Sequence, residues 1–224
     1  MIVTAGDEHP QHRTLAYALA GFLCFQTDPA ESRRLLEAAF ASGEDPQADP
    51  FSEKYIGGSR TEVGVASGVT AHLALGRDAV GLGLAELQQA DSDVAAAIDT
   101  VEQLEPTTYA AVSLAELYSS AGRFNETVEL TEGISNSDDA TALLCVFRGE
   151  AFYALGYNDA AMVAFKEALK SRSRAPEIRH RALSERSRAY DALGKRAMAR
   201  KDLERIMAED SQYPGLQERI TALA

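Results

Sequence analysis

A few histidines, glycines and cysteines are the residues of this sequence whose type and spacing could support chemistry. His9 and His12 lie close together beside an acidic pair, an arrangement that could bind a metal ion. They belong to a terminal segment of a kind that usually frays, so we predict a disordered end and no metal site. His72 and His180 have no nucleophile at a recognisable spacing, and we predict structural or solvated roles for both.

The segment Tyr55–Arg60 contains a glycine pair and could suggest a phosphate-binding loop. It lacks the full P-loop pattern, and no clear passage from strand to helix follows, so we interpret it as a turn before a strand. Cys24 and Cys145 lie in apolar surroundings and form neither a disulfide framework nor a metal spacing. We predict that both are reduced and buried, which favours the cytoplasm.

The carboxylates are scattered over predicted helix faces, and no pair has a reason to titrate abnormally. We therefore expect a non-catalytic protein without a cofactor or a metal ion. An enzyme whose site lies in residues 44–77, near Tyr55, Arg60 and His72, is the alternative that this sequence leaves open.

Charge is unevenly distributed along the 224 residues. The net charge is −12, with −16 in residues 1–147 and +4 in residues 148–224. An acidic protein repels phosphates, which argues against non-specific binding to nucleic acid. The most apolar run, residues 15–25, is far shorter than the roughly 20 residues that span a bilayer, so we predict a buried helix and no membrane association.

Internal self-similarity shows which elements must position these side chains. Residues 149–169 and 187–207 align without gaps, and each contains Ala-Leu-Gly, ending at Gly156 and Gly194. The other shared positions are small (Gly149 and Ser187), aromatic (Phe152 and Tyr190), alanine (Ala161 and Ala199) and large apolar (Phe165 and Leu203). Small residues let two antiparallel helices approach, bulky residues fill the space between them, and the glycine ends the first helix.

Two further copies precede these. Residues 115–134 keep the aromatic Tyr118 and the loop glycine Gly122, and residues 78–106 keep an apolar stripe but no loop glycine. The pattern resembles the tetratricopeptide repeat (TPR), and the chain is similar to actinobacterial proteins of that repeat family without a known activity. The step of 38 residues between the last two copies exceeds the 34 of the family, which implies a longer second helix or an insertion around residues 171–174.

The resemblance implies a mainly α-helical solenoid of antiparallel helix pairs. We divide the chain into an N-terminal helical hairpin (1–43), a loop plus β-hairpin (44–77), TPR-like repeats (78–214) and a C-terminal capping helix (215–224). The β-hairpin near residues 60–75 is predicted from alternating apolar residues on either side of Ser67-Gly68. We also expect Asp78 to cap the helix that follows.

In the TPR family the first helix of each pair lines a concave groove that binds a partner. Carried over to this sequence, the predicted groove residues are Tyr109, Val112, Glu116, Leu143, Val146, Glu150, Tyr153, Arg181, Ser184 and Arg188. Some family members hold a C-terminal carboxylate with lysine and asparagine; the matching positions here include Val146 and Glu150, so we predict no such clamp.

The predicted function is that of a protein-interaction adaptor or scaffold that binds a protein or peptide segment in this groove. A basic stretch keeps an alternative open, because residues 166–205 hold 13 Lys and Arg against six Asp and Glu. That stretch could be a solvated helix surface, a partner-binding patch or a nucleic-acid contact. Aromatic residues that could stack on bases are nearly absent from it, which disfavours nucleic acid. The sequence leaves the partner and any homo-oligomer unidentified.

Overall fold

A computed structural model describes residues 1–223 of the chain. They belong to two compact units, Met1–Leu117 and Tyr118–Ala224. The elements of the first unit are α1 (Ile2–Glu8), α2 (Arg13–Cys24), α3 (Pro29–Ala41), β1 (Arg60–Ala66), β2 (Val69–Ala74), α4 (Arg77–Ala90) and α5 (Val94–Val101), with short helical turns at Pro10–His12, Pro46–Ala48 and Ser52–Ile56. Helix α6 (Thr108–Ser120) contains the boundary between the units. The second unit contains α7 (Phe124–Leu130), α8 (Asp139–Ala154), α9 (Asn158–Ala168), α10 (Pro176–Ala192), α11 (Arg196–Glu209) and α12 (Leu216–Ala222).

Helices α2 and α3 pack against each other in the first unit. Asp28 begins α3, where its side chain accepts a hydrogen bond from the Glu31 N–H and Pro29 occupies the first turn. Apolar side chains of α2, α3 and α4 form one core, in which Leu36 and Val80 are almost completely buried. The predicted disorder of the N-terminus is wrong, because residues 2–8 form α1 and this helix packs on α2.

Strands β1 and β2 form the predicted antiparallel hairpin, and Gly68 adopts a φ of 84° in its turn. Val63 and Ala71 pair across the strands and are buried on one side of the hairpin, where α4 contacts both strands. Glu62 and His72 pair on the other side and are exposed. The alternation of the sequence therefore separates a buried side from a solvated side.

The start of α4 differs from the prediction. The helix begins at Arg77, one residue before the predicted cap Asp78, and the backbone N–H of Arg77 donates a hydrogen bond to the Asp45 carboxylate at 3.1 Å. A carboxylate distant in sequence thus satisfies one of the unpaired N–H groups of the first turn. Helix α4 ends without a glycine, and Ser92 takes the left-handed φ of 64° that glycine adopts in the other copies.

The second unit contains the two best-conserved copies of the internal repeat as consecutive helix pairs, α8 with α9 and α10 with α11. Gly156 and Gly194 follow the first helix of each pair with φ of 83° and 71°, as the shared triplet predicts. Gly149 of α8 lies directly against Phe165 of α9, whose ring is fully buried. The small residue therefore lets α8 and α9 approach closely.

The longer spacing between the two copies lies in the second helix, as one of the two predicted alternatives has it. Helix α9 has 11 residues where α7 of the preceding copy has 7, whereas the loop before α10 (169–175) is no longer than the loop before α8 (131–138). Helix α12 then packs Leu216 and Ile220 against the buried side chains of α10 and α11. None of the helices in residues 1–223 combines the length and apolar character that crossing a membrane requires.

Candidate partner-binding face

Helices α8 and α10 are the first helices of the two consecutive pairs, and they contact each other. Glu150 of α8 and Arg181 of α10 form a two-point ion pair, with Nε–Oε1 and Nη2–Oε2 distances of 2.6 and 2.8 Å. The guanidinium of Arg181 also stacks over the Phe147 ring, 4.5 Å from its centroid. Such a pair has a fixed geometry, because both hydrogen bonds and the ring contact orient the planar guanidinium.

The ion pair is largely removed from solvent, since the side chains of Arg181 and Glu150 are 30% and 16% exposed. Burial raises the pKa of the Glu150 carboxyl, and the hydrogen bonds from Arg181 act against that rise. Loss of Arg181 would remove both of these hydrogen bonds from the buried Glu150 carboxylate, and breaking a buried pair in this way costs about 3–5 kcal/mol. Arg181 therefore joins α10 to α8 within this unit.

Arg188 lies two turns further along α10 and is the most accessible cation among the predicted groove residues. Its side chain is 53% exposed, its Nη1 lies 2.8 Å from Glu185 Oε2, and its guanidinium lies 5.1 Å from the Tyr153 ring centroid. The pair is only partly exposed, because the Glu185 side chain is 19% exposed, and it therefore contributes less to stability than a fully buried pair does.

Solved structures with similar architecture identify the fold. The N-terminal domain of the EccA1 ATPase from the ESX-1 secretion system of Mycobacterium tuberculosis matches with a TM-score of 0.63 and 17% identity, over 96% of this chain and 90% of that chain. A thermophilic TPR protein of Thermus thermophilus matches with a TM-score of 0.54 and 16% identity, over 95% and 98% of the two chains. This chain has a TPR-like fold. A chain of the APC/C hetero-tetramer Cut9–Hcn1 also matches, with a TM-score of 0.62 and 15% identity; 99% of this chain aligns with 38% of that one.

No protein-family model matches the sequence, and no curated protein matches it. The identities to the solved structures are low, so the similarity establishes the TPR-like helix-pair architecture and the predicted fold class.

Burial divides the predicted groove residues into two groups. Val112 on α6, Leu143 and Val146 on α8 and Ser184 on α10 are buried, with at most 4% of their surface exposed. Ser184 is covered from α12, because Arg219 donates one hydrogen bond to its hydroxyl (2.6 Å) and another to its carbonyl oxygen (2.9 Å). These four residues belong to the interior of the described chain.

The other predicted groove residues keep some exposure. Tyr109 and Glu116 lie on the part of α6 that belongs to the first unit, and both are half-buried. Glu150, Tyr153, Arg181 and Arg188 lie together on α8 and α10 of the second unit and form what we call the α8/α10 face. Phe147 and Glu185, which contact the two arginines of this face, were not predicted from the sequence.

Ion pairs engage much of the basic stretch of residues 166–205. Arg186 and Asp202 form a buried ion pair with two hydrogen bonds of 2.6 and 2.7 Å. Arg179 also donates two hydrogen bonds to Glu209. Arg200 is paired with Glu204 on α11. The excess of positive charge is therefore less available to an anionic ligand than the composition suggests.

The histidines, cysteines and Tyr55 that were considered for chemistry are not among the four residues of the α8/α10 face. His12 Nδ1 lies 2.8 Å from Asp49 Oδ2, and His180 Nε2 lies 3.1 Å from Glu209 Oε2, so both imidazoles have carboxylate partners. Burial raises the pKa of the Cys145 thiol. Tyr55 is exposed on a short helical turn that precedes β1. Within residues 1–223, no group of three or more His, Cys, Asp or Glu side chains has the geometry to hold a metal ion.

Proposed function

We propose that this chain is a non-catalytic protein-interaction adaptor whose α8/α10 face binds a segment of a partner protein. The observation that carries the proposal is the contact between the first helices of two successive TPR-like pairs, with Glu150, Tyr153, Arg181 and Arg188 on their adjoining surfaces. The TPR-like architecture of the solved neighbours supports it by analogy.

The proposed roles of the four residues follow from their contacts. Arg181 and Glu150 neutralise each other and hold α8 and α10 at a fixed spacing. Tyr153 and Arg188 supply an aromatic surface and an exposed guanidinium, which are among the side chains most enriched in the energetically dominant positions of protein interfaces. A partner segment with a carboxylate beside an apolar side chain would complement both of them.

Binding of proteins from a lysate of the source cells to the immobilised chain tests the proposal. Arg188→Ala and Tyr153→Ala remove accessible groups and leave the buried Glu150–Arg181 pair in place. Lys201→Ala on α11 is a matched control, because Lys201 is an exposed cation outside the α8/α10 face. We expect each face variant to weaken at least one captured interaction about tenfold, equivalent to about 1.4 kcal/mol, while the control binds as the wild type does.

The proposal fails if every captured protein binds both face variants with wild-type affinity. Circular dichroism melting curves for all three variants separate loss of binding from loss of structure. Arg181 is unsuitable for this purpose, because its removal would take away both hydrogen bonds that it donates to the buried Glu150 carboxylate.

The nucleic-acid alternative stays a prediction with a simple check. Binding through the basic helices requires an affinity for DNA or RNA that falls steeply with salt concentration. Absence of binding to a mixed-sequence oligonucleotide at low ionic strength would remove it.

A further inference from the structure

Strand β2 has an unpaired outer edge. Strands β1 and β2 form a two-stranded sheet, so β2 has a ladder partner on one side only. Successive residues of an antiparallel strand direct their N–H and C=O groups alternately toward the partner and away from it. Ala71 is completely buried, backbone included, whereas its neighbours Thr70 and His72 are exposed. The backbone groups of Ala71 therefore face β1, and those of Thr70 and His72 face the outer edge.

Few groups of the chain satisfy this edge. Outside the ladder, the backbone of Val69–Ala74 takes part in two hydrogen bonds within residues 1–223. The Gly76 N–H donates to the Ala74 carbonyl oxygen at 2.7 Å, and Arg60 Nη1 donates to the His72 carbonyl oxygen at 3.2 Å. The bond from Arg60 is long and exposed, so the N–H of an incoming strand could replace it.

The two strands of the hairpin differ in how their edges are protected. The pairing of β1 is irregular between Gly64 and Ala66, and the strand carries the charged residues Arg60 and Glu62. Bulges and charged side chains are common devices that keep a sheet edge from pairing with another chain. Strand β2 has a regular register over Val69–Ala74 and contains no Gly, Pro or Lys. Its edge is consequently the one open to strand addition.

A cavity of about 400 Å³ lies at the end of β2. Leu73 and Ala74 line it together with the carboxylates of Asp45, Asp78 and Glu105, and no residue of β1 does. None of these three carboxylates forms an ion pair with a cation of residues 1–223. The cavity therefore combines the end of the unpaired strand with carboxylates that lack a counter-ion in the described chain.

The cations near the cavity have other partners. Arg77 lines it, but its guanidinium lies 4.1 Å from the Phe40 ring centroid and donates a hydrogen bond to the Phe40 carbonyl oxygen. Arg60 is bound at the His72 carbonyl and does not line the cavity. Burial raises the pKa of the Asp78 carboxyl, and the nearby Glu105 and Asp45 carboxylates raise it further. A cation that entered the cavity would offset this repulsion.

We propose that the outer edge of β2 binds an extended segment of a partner protein as an added strand, and that the cavity receives a lysine or arginine side chain of that segment. Backbone hydrogen bonds to Thr70 and His72 would align the segment. The cation would select its register, because Ala74 belongs both to the strand and to the cavity lining. This site lies in the first unit and is independent of the α8/α10 face.

A synthetic strand tests the proposal with the full chain. The probe is a fluorescein-labelled peptide of about eight residues that alternates threonine and valine. It has arginine at both ends, so that either strand direction places one arginine at the cavity. Because an added strand directs every second N–H toward β2, N-methylation of alternate residues in one phase should weaken binding at least about tenfold in fluorescence anisotropy. Methylation in the other phase should leave the affinity nearly unchanged.

The contribution of the cavity is tested with a second peptide, in which citrulline replaces arginine and removes the charge at almost the same shape. It should bind the wild type several-fold more weakly than the arginine peptide at low salt. Glu105→Gln should weaken the arginine peptide several-fold and leave the citrulline peptide unaffected. Glu132→Gln is the matched control, because it makes the same change of charge at an exposed position of the second unit.

Proline variants assign the binding to β2. His72→Pro removes an N–H of the outer edge, and Glu62→Pro makes the same change at its cross-strand partner on β1. His72→Pro should weaken the arginine peptide at least about tenfold, whereas Glu62→Pro should bind it as the wild type does. Circular dichroism melting curves show whether both variants fold. The two methylation phases need no variant, so they decide the question even if His72→Pro is unfolded.

Four results would overturn the proposal. They are equal weakening by the two methylation phases, equal affinity of the arginine and citrulline peptides, unchanged binding in folded His72→Pro, and no saturable binding of the arginine peptide up to about 1 mM. Light scattering of the unliganded chain identifies a competing occupant. A concentration-dependent dimer abolished by His72→Pro would assign the edge to a second copy and would also overturn the proposal.

Discussion

Substitution of Gly149 by alanine tests the close approach of α8 and α9. A Cβ atom built on Gly149 would lie 2.5, 2.6 and 2.8 Å from three carbons of the Phe165 ring, well inside ordinary van der Waals contact. The ring is fully buried, so it can move only if its neighbours also move. Overpacking of this kind typically costs about 1–3 kcal/mol.

Helix propensity opposes this cost. Alanine is more favourable than glycine inside a helix by about 1 kcal/mol, and Gly149 lies inside α8. Because three ring atoms would overlap the added methyl group, we take the upper part of the overpacking range, about 2–3 kcal/mol. The expected net loss in the free energy of unfolding is therefore about 1–2 kcal/mol.

The assay is urea unfolding followed by circular dichroism, applied to a double-mutant cycle of Gly149→Ala and Phe165→Leu. Leucine replaces the ring that meets the new methyl group, so in that background Gly149→Ala should stabilise the protein by about 1 kcal/mol, the gain in helix propensity alone. The coupling free energy between the two positions should be about 2–3 kcal/mol, which is the overpacking cost. Equal destabilisation in both backgrounds, or stabilisation of the wild type by Gly149→Ala, would refute the proposed packing.

Three further substitutions test other contacts. Asp202→Ala leaves Arg186, whose side chain is only 12% exposed, without its two-point partner. Urea unfolding should show that the free energy of unfolding falls by about 3–5 kcal/mol. A decrease below about 1 kcal/mol would contradict a buried pair. The pKa of Asp138 is lowered because its carboxylate accepts the Thr141 N–H at the start of α8. The contribution of this cap to the free energy of unfolding is therefore present above the ordinary aspartate pKa and is lost as the pH falls through the lowered value. Asp138→Ala should consequently cost about 1 kcal/mol at pH 7 and less near pH 3. An equal cost at both pH values would be inconsistent with the charged cap. Arg219→Ala removes the hydrogen bonds from α12 to two serines of α10 and should speed amide hydrogen exchange in α12. Unchanged protection of the α12 amides would show that these hydrogen bonds do not hold α12 against α10.

The TPR-like helix pairs could be predicted because each repeat carries its own local instructions. A left-handed glycine after the Ala-Leu pair ends the first helix, and the spacing of small and large residues places them on facing surfaces. Gly156, Gly149 and Phe165 illustrate this, since all three roles can be inferred within one copy of 21 residues. The β-hairpin was equally predictable, because Val63 and Ala71 alternate with polar neighbours on either side of a Ser-Gly turn.

The exposure of the groove residues could not be predicted in the same way. Family analogy placed Ser184 on the binding surface, but Arg219 of α12 covers it from 35 residues away. Likewise Asp45, and not Asp78, receives the first N–H of α4 across 32 residues. In both cases the partner comes from an element whose position is set by packing, and the local sequence contains no information about its approach.

The sequence by itself thus determined which segments are helices and strands and how successive helices pair, because periodicity and turn residues act over a few tens of residues. Only the tertiary structure decided which charged and apolar side chains remain accessible. Arg181 is bound to Glu150 while Arg188 keeps half of its surface, and Leu23 lies exposed beside a pocket formed by three separate segments. Accessibility depends on every element that approaches a side chain, and those distances are fixed only when the chain has folded.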